Sequence, residues 1–248
     1  ILIYYLSISE LGIYSVALTI ATFVPLVLSS VNSIFSPIVS QLYSQNKLKE
    51  LKYYFQLSGR FVFILSFPLM VFILLFSEQI MALFGNDFIK GANLLCLIIL
   101  GQFINISMGS VGLMLQMTGL ERPMRNILIA SSIISFSLYF LFIESWGLVG
   151  LGAVYIFNNL FQNFACTYVL NKRLKIFLFQ KEYVKVLLLF LALAIIIYVF
   201  FNKIILSVGP FQLIMLLLFI YLIFFFLWLV FFSKKELPLI LKTINFKS

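Results

Sequence analysis

Runs of about 20 apolar residues, separated by short charged segments, recur along this chain of 248 residues. At about 1.5 Å of rise per residue, such a run crosses the hydrocarbon core of a bilayer as an α-helix. Lipid offers the backbone no hydrogen-bond partner, so every N–H and C=O must be satisfied within the segment. A β-barrel would show shorter segments of alternating polarity. The chain reads as an all-α polytopic membrane protein with about seven transmembrane helices, near residues 12–40, 61–83, 91–117, 124–143, 147–170, 183–202 and 210–232. Composition agrees: 63% of residues are hydrophobic and 10% charged, at a mean hydropathy of +1.15, against roughly half and a quarter in soluble domains.

The basic residues divide unevenly between the connections. Lys47, Lys49, Lys52 and Arg60 follow the first span, Arg122 and Arg125 precede the fourth, and Lys172, Arg173, Lys175, Lys181 and Lys185 lie between the fifth and sixth. Lys234, Lys235, Lys242 and Lys247 follow the seventh. These fifteen share one side, while the opposite connections hold Lys90 and Lys203 against Glu10, Glu78, Asp87 and Glu144. The positive-inside rule then expects a multi-pass membrane protein with its C-terminus in the cytoplasm; abundant Phe, Ile, Leu, Lys and Asn point to a bacterium, whose cytoplasmic (inner) membrane is the expected location. The net charge of +9 is explained by this partition, with anionic lipid headgroups as neighbours; nucleic-acid binding would need a basic face on a soluble domain. The apolar stretch 1–8 is too short to span and lacks the features of a signal peptide, so it is expected to be the end of a cut helix in a C-terminal fragment.

The chain has no His and two Cys, Cys96 and Cys166, both inside apolar runs without flanking ligand residues. No metal or redox signature and no cofactor follow from them. An enzyme of polysaccharide polymerisation would need acids or bases converging in a sizeable loop site, whereas the external connections here are a handful of residues each. The 30 Phe residues are expected to reflect coding bias and lipid-facing surface.

Polar residues inside the spans are informative, because lipid cannot hydrogen-bond them and they face a partner helix or a wet cavity. At roughly 100° per residue, Ser29, Ser33, Ser36 and Ser40 form a stripe on the first span with Asn32 at its margin. Gly101, Gln102, Asn105, Gly109, Gly112 and Gln116 form a second stripe on the third span. The fifth carries Asn158, Asn159, Gln162 and Asn163, paired at i, i+4, and the fourth adds Ser131, Ser132 and Ser135. The sixth and seventh spans are almost wholly apolar and are expected to be peripheral. Small residues and carboxamides are also what helix packing in membranes uses; three stripes in one bundle exceed that need and favour a hydrated cavity of neutral donors and acceptors, suited to a sugar.

Pro25, Pro37 and Pro68 are expected to bend their helices. FGNDF (residues 84–88) reads as a tight external turn, and KLKELKYYFQLSGR (residues 47–60) as an amphipathic helix on the cytoplasmic surface with solvated lysines.

Three stretches carry a family resemblance: ELGIY (residues 10–14) with Pro37 beyond it, MALFGNDFIKGANLL (81–95) and GLMLQMTGLERP (112–123). Together they resemble the C-terminal half of bacterial polysaccharide flippases, in the superfamily that also contains multidrug and toxin extrusion antiporters and lipid II flippases. The resemblance covers roughly residues 1–173 and rests on soft patterns. It implies a two-lobed, alternating-access transporter that moves an undecaprenyl-diphosphate-linked oligosaccharide repeat unit from the cytoplasmic to the periplasmic leaflet for O-antigen, capsule or exopolysaccharide synthesis. Residues 1–173 would be part of the second lobe, and 174–248 two accessory spans and a tail. The expected partners are the lipid-linked oligosaccharide, the bilayer, and polysaccharide polymerase and assembly proteins. Candidate cavity residues are Asn32, Ser33, Ser36, Gln102, Asn105, Gln116, Asn158, Asn159, Gln162 and Asn163, with Arg122 and Arg125 for phosphate at the cytoplasmic mouth. Cavities of this family are commonly cationic, and this chain departs from that in having no Lys or Arg at mid-membrane. The alternative is a multidrug or cation antiporter of the same superfamily, which would need an intramembrane carboxylate; none of the eight acids lies mid-span.

Overall fold

The computed structural model describes residues 5–177 and isolated positions between 188 and 226. The described residues are helical, without a strand: α1 (Ile8–Ala21), α2 (Phe23–Ser44), α3 (Leu48–Leu75), α4 (Ser77–Ala82), a 3-10 turn (Asn86–Gly91), α5 (Ala92–Ser107), α6 (Val111–Met117) and α7 (Glu121–Leu174). Four stretches are long and apolar enough to cross a membrane: Ile8–Ser44, Leu48–Leu75, Asn86–Ser107 and Glu121–Leu174. The last, of 54 residues, is two helices joined at Gly147, whose φ of 53° and ψ of −129° are not helical. The first five expected spans are therefore present. The sixth and most of the seventh lie outside the described residues.

Local sequence chemistry sets the boundaries. Ser7 and Glu10 form a capping box at the start of α1: Ser7 Oγ accepts from the Glu10 N–H at 3.2 Å, and the Ser7 N–H donates to Glu10 Oε2 at 2.8 Å. This satisfies two of the N–H groups that a helix start leaves open. Pro25 lies in the first turn of α2, where its missing N–H coincides with the division of the first span at Thr22. Pro37 and Pro68 instead sit inside α2 and α3, which continue through them.

Two expectations need correction. The third span is broken rather than continuous: Gly109 takes a φ of 63° between α5 and α6, which an L side chain resists and glycine does not. The amphipathic stretch 47–60 is not a separate surface helix. Nothing interrupts it before Phe61, so it forms the first half of α3, a helix of about 42 Å at the usual rise. Leu51, Phe55 and Leu57 are buried while Lys47, Lys49 and Lys52 stay exposed.

Helix α3 is central. Phe55, Phe63, Phe67, Phe72 and Phe76 are all buried, and the Phe63 and Phe67 rings each lie 6.2 Å from Phe103 of α5 in edge-on contact. These phenylalanines fill the bundle, because helices in lipid associate through close packing rather than exclusion of water. Other rings, including Phe23, Phe136, Phe157 and Phe164, do face outward. From the last expected span, Ile220 and Phe224 are buried, with Phe224 5.7 Å from Phe67, and the Tyr221 hydroxyl donates to the Leu65 carbonyl at 3.1 Å.

Long-range contacts fix which helix ends lie together. Gln56 Nε2 donates to the Phe177 carbonyl at 2.7 Å, and Ser36 Oγ donates to Met117 Sδ at 3.4 Å. Pro123 shares a cleft with Tyr168, Lys172 and Arg173. The basic connections around 47–60, 122–125 and 172–175 are thereby gathered at one end. At the other, Tyr5 meets Phe140 at 6.2 Å and Gly91 packs against Ile13 and Met81.

The hairpin within α7 depends on Gly150, where an added Cβ would overlap the Phe142 carbonyl oxygen, a backbone atom with no freedom to withdraw. Gly150→Ala should lower stability by about 1–3 kcal/mol, as overpacking does, read as a fall in unfolding temperature in detergent. Gly12→Ala, where a Cβ meets nothing within 4 Å, should leave that temperature unchanged or slightly raised.

Candidate functional site

Helices α5 and α7 bring most of the predicted carboxamides together, and the spacing on α7 divides them between two faces. Asn158 and Gln162 point to the first half of α7. Gln162 Nε2 donates to Ser131 Oγ at 2.7 Å and to Asn158 Oδ1 at 3.1 Å, and Ser135 Oγ donates to the same Asn158 oxygen at 3.1 Å. Ser131 and Ser135 are buried. This ladder ties the two halves of the hairpin.

Asn159 and Asn163 point to α5 instead. Asn163 Nδ2 donates to Asn105 Oδ1 at 3.4 Å and to the Asn159 carbonyl at 3.0 Å; Asn105 Nδ2 reaches Gln102 Oε1 at 3.4 Å. Gln102, itself buried, donates through Nε2 to the Tyr155 hydroxyl. Asn159 Nδ2 returns to the Tyr155 carbonyl at 3.0 Å. Gly101 makes room for this arrangement, since a Cβ there would stand 2.7 Å from the Tyr155 ring and 3.4 Å from Asn159 Nδ2.

Tyrosines extend the network beyond the predicted residues. The Tyr14 hydroxyl of α1 is hydrogen-bonded to Tyr139 of α7, and both lie close enough to Tyr155 to interact electrostatically. Tyr14 and Tyr139 thus form one pair between α1 and the first half of α7, and Tyr155 joins the set of Gln102, Asn105 and Asn163 through Gln102. The carboxamide stripes left the tyrosines out because they were drawn from amides, serines and glycines alone; Tyr155 stands at i, i+4 to Asn159 on the same face.

The first-span stripe stands apart from the carboxamides. Ser29, Ser33 and Ser40 are exposed, Asn32 and Ser36 partly buried. Ser33 Oγ donates within its own helix to the Ser30 carbonyl at 2.8 Å, and Ser36 Oγ reaches Met117 of α6. Buried Asn32 Oδ1 has no hydrogen-bond partner among the described residues. Gln116 is exposed, as are Arg122 and Arg125 in the first turn of α7. The expected polar residues thus meet along two seams, one between the halves of α7 and one between α5 and the second half of α7, while the α2 serines lie elsewhere.

All members of the α5–α7 network are neutral, and they bond directly to one another while Asn105, Asn158, Asn159, Gln162 and Asn163 remain partly exposed. Such groups can exchange partners with a ligand's hydroxyls at little electrostatic cost. Among the described residues no three of Cys, Asp and Glu are arranged to hold a metal ion. The interhelical bonds should also contribute to stability. In a double-mutant cycle of Gln162→Leu and Ser131→Ala, the coupling energy should be about 0.6 to 1.7 kcal/mol, measured by reversible unfolding in mixed micelles; a coupling of zero would remove the hydrogen bond as a determinant of the hairpin.

Comparison with known proteins gives one assignment. No curated protein and no solved structure matches the chain significantly. The family model MatE matches residues 1–143, more than half of the 248 residues and the region that contains α1 to α6 with the first half of α7. The chain belongs to the MatE family of membrane transporters.

Proposed function

We propose that the transported substrate is a lipid-linked oligosaccharide, carried on undecaprenyl diphosphate from the cytoplasmic to the periplasmic leaflet of a bacterial inner membrane for O-antigen, capsule or exopolysaccharide assembly. The observation that carries this reading is the neutrality of the converging polar groups. Gln102, Asn105, Asn158, Asn159, Gln162, Asn163 and the three tyrosines offer donors and acceptors without a fixed charge. A sugar presents complementary hydroxyls, whereas a cationic drug or a coupling cation is better held by a carboxylate. Glu144, the acid nearest a span, is exposed at the outer end of the hairpin.

In this mechanism the sugar hydroxyls replace hydrogen bonds that the carboxamides make to one another, while the prenyl tail stays in lipid beside the bundle. Breaking interhelical bridges on binding would loosen α5 against α7, coupling occupancy to rearrangement of the helices. Arg122 and Arg125, exposed at the basic end, would meet the diphosphate. With the cell interior negative, each negative charge moved outward gains about 2.3 kcal/mol per 100 mV, so a diphosphate is driven in the exporting direction. The polymerase and other assembly proteins would receive the flipped unit, and the C-terminal tail would lie in the cytoplasm.

Cells lacking the full-length protein should accumulate lipid-linked repeat units in the cytoplasmic leaflet, assayed by leaflet-selective glycan labelling; a normal leaflet distribution with normal surface glycan would refute transport of this substrate. Replacing Asn158 and Gln162 together by Leu should reduce flipping about tenfold at unchanged abundance, as loss of hydrogen bonds worth about 1.5 kcal/mol implies. The thiols of Asn105→Cys and Asn159→Cys should react with a water-borne maleimide. Inaccessibility of both in every state would reduce the network to helix packing.

A further inference from the structure

The two ends of α7 meet in a cleft that the transport reading does not use. Pro123, from the first turn, faces Tyr168, Val169, Lys172 and Arg173, from the last two turns, around a space of about 180 Å³. Its position follows from the hairpin: the turn at Gly147 puts the two ends of the helix at one level, which the flanking apolar runs place at the membrane surface.

The chemistry of the cleft has two parts. Its wall is apolar, made by the proline ring, the valine, the face of Tyr168 and the alkyl stems of the basic residues. Its rim is cationic. Lys172 Nζ stands 5.7 Å from the centre of the Tyr168 ring, an arrangement in which the aromatic face attracts the ammonium and fixes its position. Arg173 stands beside it on the same rim, so that two cations and no carboxylate line the cleft. Lys172 and Arg173 are both exposed. Neither Lys172 nor Arg173 has a carboxylate partner among the described residues. Tyr168, exposed to 64%, is of the residue type that settles at headgroup level.

We propose that this cleft binds an anionic phospholipid, its phosphate between Lys172 and Arg173 and its glycerol backbone and first acyl carbons against Pro123, Tyr168 and Val169. The apolar wall distinguishes a lipid from a free phosphate, which would meet the rim alone. The cation excess distinguishes an anionic from a zwitterionic headgroup. Occupancy would clasp the two ends of the hairpin together at the membrane surface. The proposal is independent of what the protein transports.

Native mass spectrometry of the full chain, released from nanodiscs of phosphatidylcholine with phosphatidylglycerol, tests it. The wild type should retain phosphatidylglycerol over phosphatidylcholine of the same acyl length. Lys172→Gln with Arg173→Gln should lower that retention about thirtyfold, two surface cations of about 1 kcal/mol each being lost, and Tyr168→Ala should lower it severalfold. Lys90→Gln, at the opposite end, should leave it unchanged. Equal retention of the two lipids, retention unaffected by the double variant, or displacement of the lipid by millimolar inorganic phosphate would each overturn the proposal. Should the double variant not fold, Tyr168→Ala and the salt dependence of wild-type retention decide, since a rim held by charge must weaken as salt rises.

Discussion

Everything in this molecule follows from the absence of water along most of its length. A backbone carbonyl or a carboxamide that lacks a partner in hydrocarbon costs several kcal/mol, so polar groups in the spans are few and most are joined to something, Asn32 Oδ1, Ser66 Oγ and Ser110 Oγ being the exceptions among the described residues. Thr19, Thr22, Ser30 and Ser33 answer this within their own helices, donating to carbonyls three or four residues back. Asn158, Gln162 and Asn163 answer it between helix segments. The same requirement that makes the chain helical also makes its few long polar side chains into bridges.

Bridges of this kind are individually modest, which suits a transporter. Hydrogen bonds worth about 1 kcal/mol each hold α5 against α7 firmly enough to define a resting arrangement, yet weakly enough for a ligand to exchange with them. The aromatic packing of α3 contrasts with this. Phe55, Phe63, Phe67, Phe72 and Phe76 fill the centre without directional bonds, and their burial gives the bundle a stable spine around which α2 and α7, far less buried, are free to present their outer faces to other surfaces. The bundle thus combines an apolar packed spine with a polar seam between α5 and α7.

Much of this was legible beforehand. The five spans of the described region emerged from hydropathy, and the carboxamide pairs on the fifth span from their i, i+4 spacing. The gathering of basic connections at one end could be read from charge alone. The broken third span was not, because Gly109 among apolar residues reads equally as a packing glycine; its φ of 63° is a property of the chain path. The α2 serines misled for a related reason: a stripe states that residues share a face and is silent about what that face meets. Tyr139 and Tyr155 were missed because the stripes left tyrosine out, although Tyr155 shares the face of Asn159.

The sequence by itself determined that the chain is helical and membrane-embedded, where its spans lie within a few residues, and which side chains lipid would not tolerate alone. Only the tertiary structure decided which of those side chains meet. Gln162 and Asn163 are neighbours in sequence, yet one joins Ser131 in the first half of its hairpin and the other Asn105 of α5. Periodicity is a property of one helix, whereas partnership is a property of two, fixed by the close approach of α5 to α7 at Gly101 and by the reversal at Gly147.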